Sequence, residues 1–291
     1  MSGRSAWWLA VRPATLTASA APVFVGAGAA WADGVFALGP ALAALLGASL
    51  LQVGANFAND VFDFERGADN ADRLGPQRAT QQGWITPAQM KRAMWLAFAA
   101  ATLTGLYLTY VAGWPVLALG LASIAAAYLY TGGPRPYGYL GLGDLAVFLF
   151  FGVGAVAGTY FVQALTVSRL ALLASIPIGA LATAILVVNN LRDIETDARA
   201  GKRTLAVRIG DPATRAYYFV LLLVAYLVPL LAWWRGLADV QVLLPWLSLP
   251  LAFQLVARMR HERGLALNGC LVRTARLEVV FGLLFALGLA L

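Results

Sequence analysis

Residues 56–87, NFANDVFDFERGADNADRLGPQRATQQGWITP, lie between two long apolar runs and hold five of the fourteen carboxylates: Asp60, Asp63, Glu65, Asp69 and Asp72. Arg66, Arg73 and Arg78 stand among them. Acids and bases crowded at the end of a hydrophobic segment are costly there and are usually kept for function. A related stretch appears at residues 189–210, NNLRDIETDARAGKRTLAVRIG. The two together hold more than half of the carboxylates of the chain.

The segments around these loops set the fold class. The chain has 291 residues, 60% hydrophobic and 12% charged, with a mean hydropathy of +0.73. Soluble domains carry about 25% charged residues, so this chain has too little polar surface to face water on all sides. Its repeated apolar runs suit the roughly 30 Å hydrocarbon core of a bilayer. Residues 170–188 lack the alternation of a transmembrane β-barrel, which leaves an all-α polytopic membrane protein. The single Cys270 excludes an internal disulfide framework. A net charge of +7 is read as topology rather than as a nucleic-acid surface.

Nine spans are expected, at about 14–32, 36–58, 89–112, 114–131, 143–164, 170–191, 213–234, 239–257 and 276–291. With a cytoplasmic N-terminus, all but Arg169 and Arg235 of the 21 Lys and Arg fall on the cytoplasmic side, as the positive-inside rule requires. Both acidic loops then face the cytoplasm. Ala18-Ser19-Ala20 resembles a signal-peptidase site, but Arg12 and Pro13 interrupt the apolar run that such a signal needs. The first twelve residues, with Trp7 and Trp8, therefore read as an uncleaved interfacial segment. The whole chain is expected to form one membrane-embedded domain.

The two loops are in register. Asn56, Asn59, Asp63 and Gly67 correspond to Asn190, Asp193, Asp197 and Gly201, each pair 134 positions apart. One copy ends the second span and the other the sixth, which predicts two parallel four-helix repeats, about 1–135 and 136–258, plus a ninth helix. Residues four apart share a helix face, so Asn59 projects with Asp63 and Asp193 with Asp197. Carboxylate and amide oxygens suit Mg²⁺, which favours one or two carboxylates together with phosphate oxygens. Arg66, Arg73, Arg78, Arg192, Lys202, Arg203 and Arg208 supply donors for phosphate. The pattern reads as a metal-bridged diphosphate site. Solvated boundary residues are the bland alternative, but one that leaves the matched spacing without a reason. No G-x-x-x-x-G-K-[ST] loop is present to indicate nucleotide hydrolysis.

These residues resemble the UbiA superfamily of intramembrane aromatic prenyltransferases, nine-helix proteins with two aspartate-rich motifs. The first motif, close to N-D-x-x-D-x-x-x-D, stands here as Asn59-Asp60-Val-Phe-Asp63-Phe-Glu-Arg-Gly67, with Gly67 in place of the last Asp and Asp69 two residues on. The second, D-x-x-x-D, is Asp193 and Asp197. Gly67 with Asp69, the D-R-x-G-P run (Asp72, Arg73, Gly75, Pro76), R-P-x-T-L at 12–16, Y-T-G-G-x-R-P-Y-x-Y-x-G-L-G-D at 130–144 and N-N-x-R-D-x-x-x-D-x-x-x-G-K-x-T-L-A-V-R-x-G at 189–210 look like the branch that prenylates 1,4-dihydroxy-2-naphthoate in menaquinone synthesis. The likeness runs from Arg12 to Gly210; the last 80 residues match only as hydrophobic helices.

The resemblance implies that Asp63, Asp193 and Asp197, with Asn59 and Asp69, hold Mg²⁺ against the diphosphate of a polyprenyl donor. Asn56, Asn190, Arg73, Arg78, Arg192, Lys202 and Arg208 are the implied substrate contacts. The naphthoate ring attacks the allylic cation left at the prenyl C1, and carbon dioxide and a proton are lost to give demethylmenaquinone. Tyr130 matches a family position near the reacting centre, where its ring stabilises the cation; as an ordinary interfacial tyrosine it would have no such role. The donor's tail is expected to leave sideways into the lipid of the plasma (inner) membrane. Asp144 either caps the fifth span electrostatically or lines the aromatic pocket. Glu278 is expected to pair with an Arg such as Arg273 or with another helix, and His261 to be solvated. Gly152, Gly154 and Gly158 are expected to leave room for a lipid chain. Two other readings stand beside this one: the same fold with another acceptor, such as 4-hydroxybenzoate or homogentisate, and a cation-coupled transporter.

Overall fold

The computed structural model describes residues 3–69 and 73–291, without the side chains of Gly3, Arg4 and Ala14. The expectations placed on Asp72 and on the Arg4 side chain lie outside the described residues. Within them the chain is helical and has no strand. A short helix α1 (Gly3–Val11) leads into α2 (Pro13–Ala32), α3 (Leu38–Glu65), α4 (Pro87–Ala112) and α5 (Trp114–Leu129). The second half holds α6 (Gly143–Ala164), α7 (Arg169–Arg192), the short α8 (Ile194–Arg199), α9 (Leu205–Trp234), α10 (Val240–His261) and α11 (Leu267–Ala290). Each expected span falls on one of these helices. Seven of them, among the described residues, are long and apolar enough to cross a bilayer. Of the other two, α5 is apolar but has 16 residues, and α11 carries Arg273, Arg276 and Glu278 within its length.

Local chemistry sets the ends. Thr86 and Gln89 form a reciprocal capping box at the start of α4, with Pro87 in the first turn. Ser168 and Thr204 accept from backbone amides to open α7 and α9. Arg12 separates α1 from α2 and adopts a left-handed conformation, φ 54°. Helix α9 begins earlier than the hydropathy places it, with a kink at Gly210 (φ 80°) just before Pro212. Likewise α11 starts nine residues before its expected span, because Arg273 and Arg276 lower the hydropathy without interrupting the helix.

Helix α7 forms the axis of the bundle, with 72% of its span buried, and its apolar residues run all round it as such a position demands. Helices α2, α6, α9 and α11 pack against it. Small residues allow close approach: a side chain at Gly152 would stand 2.7 Å from Gly179 of α7, and one at Gly28 2.6 Å from the Ala286 carbonyl of α11. At the far side, α5 has no buried residue. Glu278 corrects its expectation. It is fully buried on α11, and neither carboxylate oxygen has a hydrogen-bond partner among the described residues. His261 is exposed, as expected.

The connections sort to two ends. Tyr160 donates to Asp33 (2.5 Å) and Gln163 accepts from the Ala37 amide (3.1 Å), tying α6 to the α2–α3 turn. The two acidic stretches, residues 130–142 and the start of α11 meet at the opposite end.

Candidate active site

Asp63 sits in the last turn of α3 and Asp197 in the last turn of α8. Both helices stop the same way. Gly67 is left-handed at φ 70° and Gly201 at φ 74°. The Ala68 amide donates back to the Asp63 carbonyl and the Lys202 amide to the Asp197 carbonyl, each at 2.9 Å. These are matching Schellman caps, so the glycine four residues after each Asp is the helix stop. Among the described residues, Gly67 has nothing within 4 Å of where a Cβ would lie and is absent from the cavity wall. Its difference from the superfamily Asp is thus met by a backbone requirement. Asp193 falls at the break between α7 and α8, where the Asp197 amide still donates to its carbonyl (2.7 Å).

The two helix ends face one cavity of about 1020 Å³. Its polar head carries Asn59, Asp63, Arg73, Arg78, Asn190, Arg192, Asp193, Asp197 and Lys202, with Tyr130, Tyr137 and Tyr139. Most of the rest of the wall is apolar and runs along α3, α4, α5 and α6 through Leu51, Leu108, Val116, Leu119, Phe151 and Val162. Gly154 and Gly158 lie on it, as expected, whereas Gly152 is used in the contact with α7.

Asp63 is the hub. Its Oδ1 accepts from the Tyr139 hydroxyl (2.8 Å) and from Lys202 Nζ (3.1 Å), and its Oδ2 lies 3.5 Å from Arg78 Nη2. Lys202 also stands over the Tyr139 ring, 4.7 Å from its centre. The sequence marks Tyr139 only as a position of the 130–144 motif and gives it no role. Burial, then the Asp63 charge, raises its hydroxyl well above the usual phenol value, keeping it a donor. Asp69 is ion-paired with Arg73 and stands 3.1 Å from Arg78 Nε. Arg78 Nη1 is buried with no hydrogen-bond partner among the described residues, so it is the atom of this guanidinium available to an anion, while Nε faces Asp69.

Some predicted contacts are already engaged. Arg192 donates to Asp193 (2.8 and 2.5 Å), Asn189 (2.9 Å) and Asn268 of α11 (2.8 Å). It therefore positions Asp193 rather than presenting a free fork. Asn268 also donates to the Leu74 carbonyl (3.1 Å), which holds the loop before Pro76 over the site. That loop passes so near Arg192 that a side chain at Gly75 would meet it at 2.8 Å. Arg208 is off the cavity wall. It donates to the carbonyls of Leu140 (2.8 Å) and Arg203 (3.2 Å) and clamps two loops together. Asn56 lines the cavity but uses its amide to hold Val11 and Thr15, both at 2.8 Å. Asp144 is buried in the first turn of α6 and is also off the wall. Tyr130 is on the wall, with its ring edge-on to Tyr137 at 5.4 Å.

Among the described residues no three acidic, His or Cys side chains gather tightly enough to hold a metal unaided. The donor chemistry nevertheless fits Mg²⁺. Burial pushes the Asp197 carboxyl up to about 7, with Asp193 and Asp63 adding to it and Lys202 opposing. Burial likewise raises Asp69 to about 6, against the pull of Arg73 and with a further push from Asp63. Asp69 Oδ2 is buried and has only the Arg78 ion pair, with no hydrogen bond among the described residues. Oxygen donors crowded to the point of mutual repulsion, beside unengaged phosphate donors, suit a hard cation carrying phosphate.

The solved structure of a UbiA homologue from Aeropyrum pernix superposes with a TM-score of 0.71 over 94% of this chain and 96% of its own, at 15% identity. That of an Archaeoglobus fulgidus homologue, bound to DMAPP and Mg²⁺, superposes at 0.67 over 96% and 99%, also at 15% identity. At these identities the likeness is one of fold. In sequence, the 1,4-dihydroxy-2-naphthoate octaprenyltransferase of Escherichia coli is 41% identical over 100% of this chain and 97% of its own. The protein of the same name from Mycobacterium tuberculosis is 43% identical over 91% and 89%. The profile of the UbiA prenyltransferase family matches residues 19–268. A shared fold, relatives alike along their whole length and a profile covering most of the residues make this chain a member of the UbiA prenyltransferase family.

Proposed function

We propose that this protein transfers a polyprenyl group from its diphosphate to 1,4-dihydroxy-2-naphthoate in a Mg²⁺-dependent reaction. The observation that carries the reading is one cavity with a charged head and an apolar body. Such a cavity is complementary to an anionic diphosphate on a hydrocarbon chain. Relatives more than 40% identical bear the name of a 1,4-dihydroxy-2-naphthoate octaprenyltransferase. The 4-hydroxybenzoate, homogentisate and transporter readings have no comparable support.

Asp63, Asp193 and Asp197 would hold Mg²⁺, with Asn59 and Asp69 beside them. When bound, Mg²⁺ draws charge from the departing diphosphate. Arg78, Lys202 and Arg73 add donors to the same oxygens. Moving Lys202 and Arg78 from Asp63 to phosphate frees that carboxylate as the substrate binds. A bond forms between the ring carbon bearing the carboxylate and the prenyl C1 as the C1–O bond breaks, its electron pair leaving on diphosphate. The carboxylate then departs as carbon dioxide and its bonding pair restores the aromatic ring. The immediate product is the hydroquinone, which reaches demethylmenaquinone by a later two-electron oxidation. The Tyr130 face would support positive charge at C1, and the apolar wall keeps water from capturing it.

The charge distribution supports nine spans in the plasma membrane, with the N-terminus and the site at the cytoplasmic surface. The matching caps at Gly67 and Gly201 support two related halves within one domain. To test the function, detergent-purified protein is incubated with Mg²⁺, an octaprenyl or geranyl diphosphate, and naphthoate or 4-hydroxybenzoate. Prenylated naphthoquinol that disappears with EDTA is the expected product. Turnover of 4-hydroxybenzoate alone would overturn the acceptor, and no transfer to any acceptor would overturn the reaction.

A further inference from the structure

One polar patch on the cavity wall centres on the α1–α2 junction and α3 rather than on the carboxylates. At the α1–α2 junction, Arg12 holds a backbone conformation seldom adopted outside glycine, φ 54° and ψ 72°. Thr15 Oγ1 supports it by donating to the Arg12 carbonyl (2.9 Å). The Arg12 Nη2 atom is buried with no hydrogen-bond partner among the described residues. Across from it on α3, Gln52 Oε1 is in the same condition. Arg12, Thr15, Gln52 and Asn56 all line the cavity.

The network fixes which way these groups point. Asn56 Nδ2 donates to the Val11 carbonyl and to Thr15 Oγ1, so its Oδ1 is an acceptor. Gln52 Nε2 donates to that Oδ1 at 3.1 Å. Reversing the Gln52 amide would set two oxygens against each other, so Oε1 is the atom left over. The patch therefore presents one cationic donor and one neutral acceptor, both buried and unmatched. Unmatched buried polar atoms are uncommon and call for a partner. A diphosphate carries acceptors only, and would satisfy Arg12 while leaving Gln52 as it is. An aromatic hydroxy-acid satisfies both.

We propose that Arg12 and Gln52 are the acceptor-recognition pair, with Arg12 Nη2 donating to the substrate carboxylate and Gln52 Oε1 accepting from a ring hydroxyl. This rests on the hydroxynaphthoate reading above. It assigns acceptor choice to the α1–α2 junction and α3, where Arg12 lies within electrostatic reach of Asp63, Asp69 and Arg73 and so places the acceptor beside the donor head.

The test uses the full chain in detergent, with 1-hydroxy-2-naphthoate as a stable binding probe and 1-naphthol as the probe lacking the carboxylate. Arg12→Gly removes the side chain at a positive φ that glycine adopts freely, so the fold is kept; Gln52→Leu keeps the volume. Loss of a charge-assisted contact predicts that Arg12→Gly weakens the hydroxynaphthoate about tenfold or more. The same variant should close the gap between the two probes. Gln52→Leu should weaken both, because each carries the hydroxyl, and KM for geranyl diphosphate should stay within about twofold in either variant. Unchanged probe affinity in Arg12→Gly, or a rise in the diphosphate KM instead, overturns the assignment. If the wild type prenylates 4-hydroxybenzoate and not the naphthoate, the acceptor reading alone fails. The pair is then judged on KM for that acid, where a tenfold rise in Arg12→Gly sustains it and no change overturns it.

Discussion

At the scale of single residues, Asp63 is held by three partners that a bound diphosphate would draw away: Tyr139, Lys202 and Arg78. Asp63→Asn and Asp193→Asn should each lower kcat by about a hundredfold or more, some 2.7 kcal/mol of barrier, with the protein still folded. Arg208→Ala should act differently, because Arg208 ties Leu140 to Arg203 away from the cavity. A lowered Tm with the diphosphate KM within about twofold is the expected result, checked by thermal unfolding and initial rates. The raised carboxyls give a pH dependence. Below about 7 Asp197 keeps its proton, and below about 6 Asp69 does as well. A metal must displace those protons, so Mg²⁺ affinity should fall about tenfold between pH 8 and pH 6, measured by calorimetry without donor. Asp63, Asp193 and Asp197 were legible in the sequence because spacing along a helix and a second copy both marked them. The contacts of Tyr139 and Asn268 were not, since their partners stand 76 or more positions away, which no local pattern encodes. Arg192 and Arg208 read as phosphate donors in the sequence for the converse reason: composition shows a cation but not the carbonyl or carboxylate that already engages it.

At the scale of elements, the helix stops decide where the carboxylates stand. Gly67 and Gly201 turn the chain left-handed and return an amide to the carbonyl of the Asp four residues earlier. Gly67→Ala should destabilise the protein by about 1–2 kcal/mol through its positive φ, read as a lower Tm. Gly67→Asp should be milder and should leave the preference among acceptors unchanged, since this position faces no cavity. A switch of acceptor in Gly67→Asp would restore this residue as a specificity determinant. Hydropathy located the apolar spans well because burial in lipid or in the bundle demands the same residues. It misplaced the starts of α9 and α11, where helix continues through charged residues that the protein interior or the membrane surface accommodates. Glu278 is the sharpest case, a carboxylate on α11 inside the bundle and without the ion pair its sequence neighbours suggested.

At the scale of the whole molecule, α7 anchors a bundle that brings residues 134 positions apart to the head of one cavity. Helix α5, with no buried residue, forms the outer side of that cavity where it meets the lipid. Neither acidic stretch offers enough ligands alone, and the central claim is that both hold one metal–diphosphate unit. Mn²⁺ in place of Mg²⁺ reports this directly by electron paramagnetic resonance, titrated with geranyl diphosphate in the wild type, Asp63→Asn and Asp193→Asn. A shared site predicts a bound-Mn²⁺ signal that changes on adding diphosphate to the wild type and is lost in both variants. Wild-type Mn²⁺ and diphosphate binding in either variant would contradict a shared site.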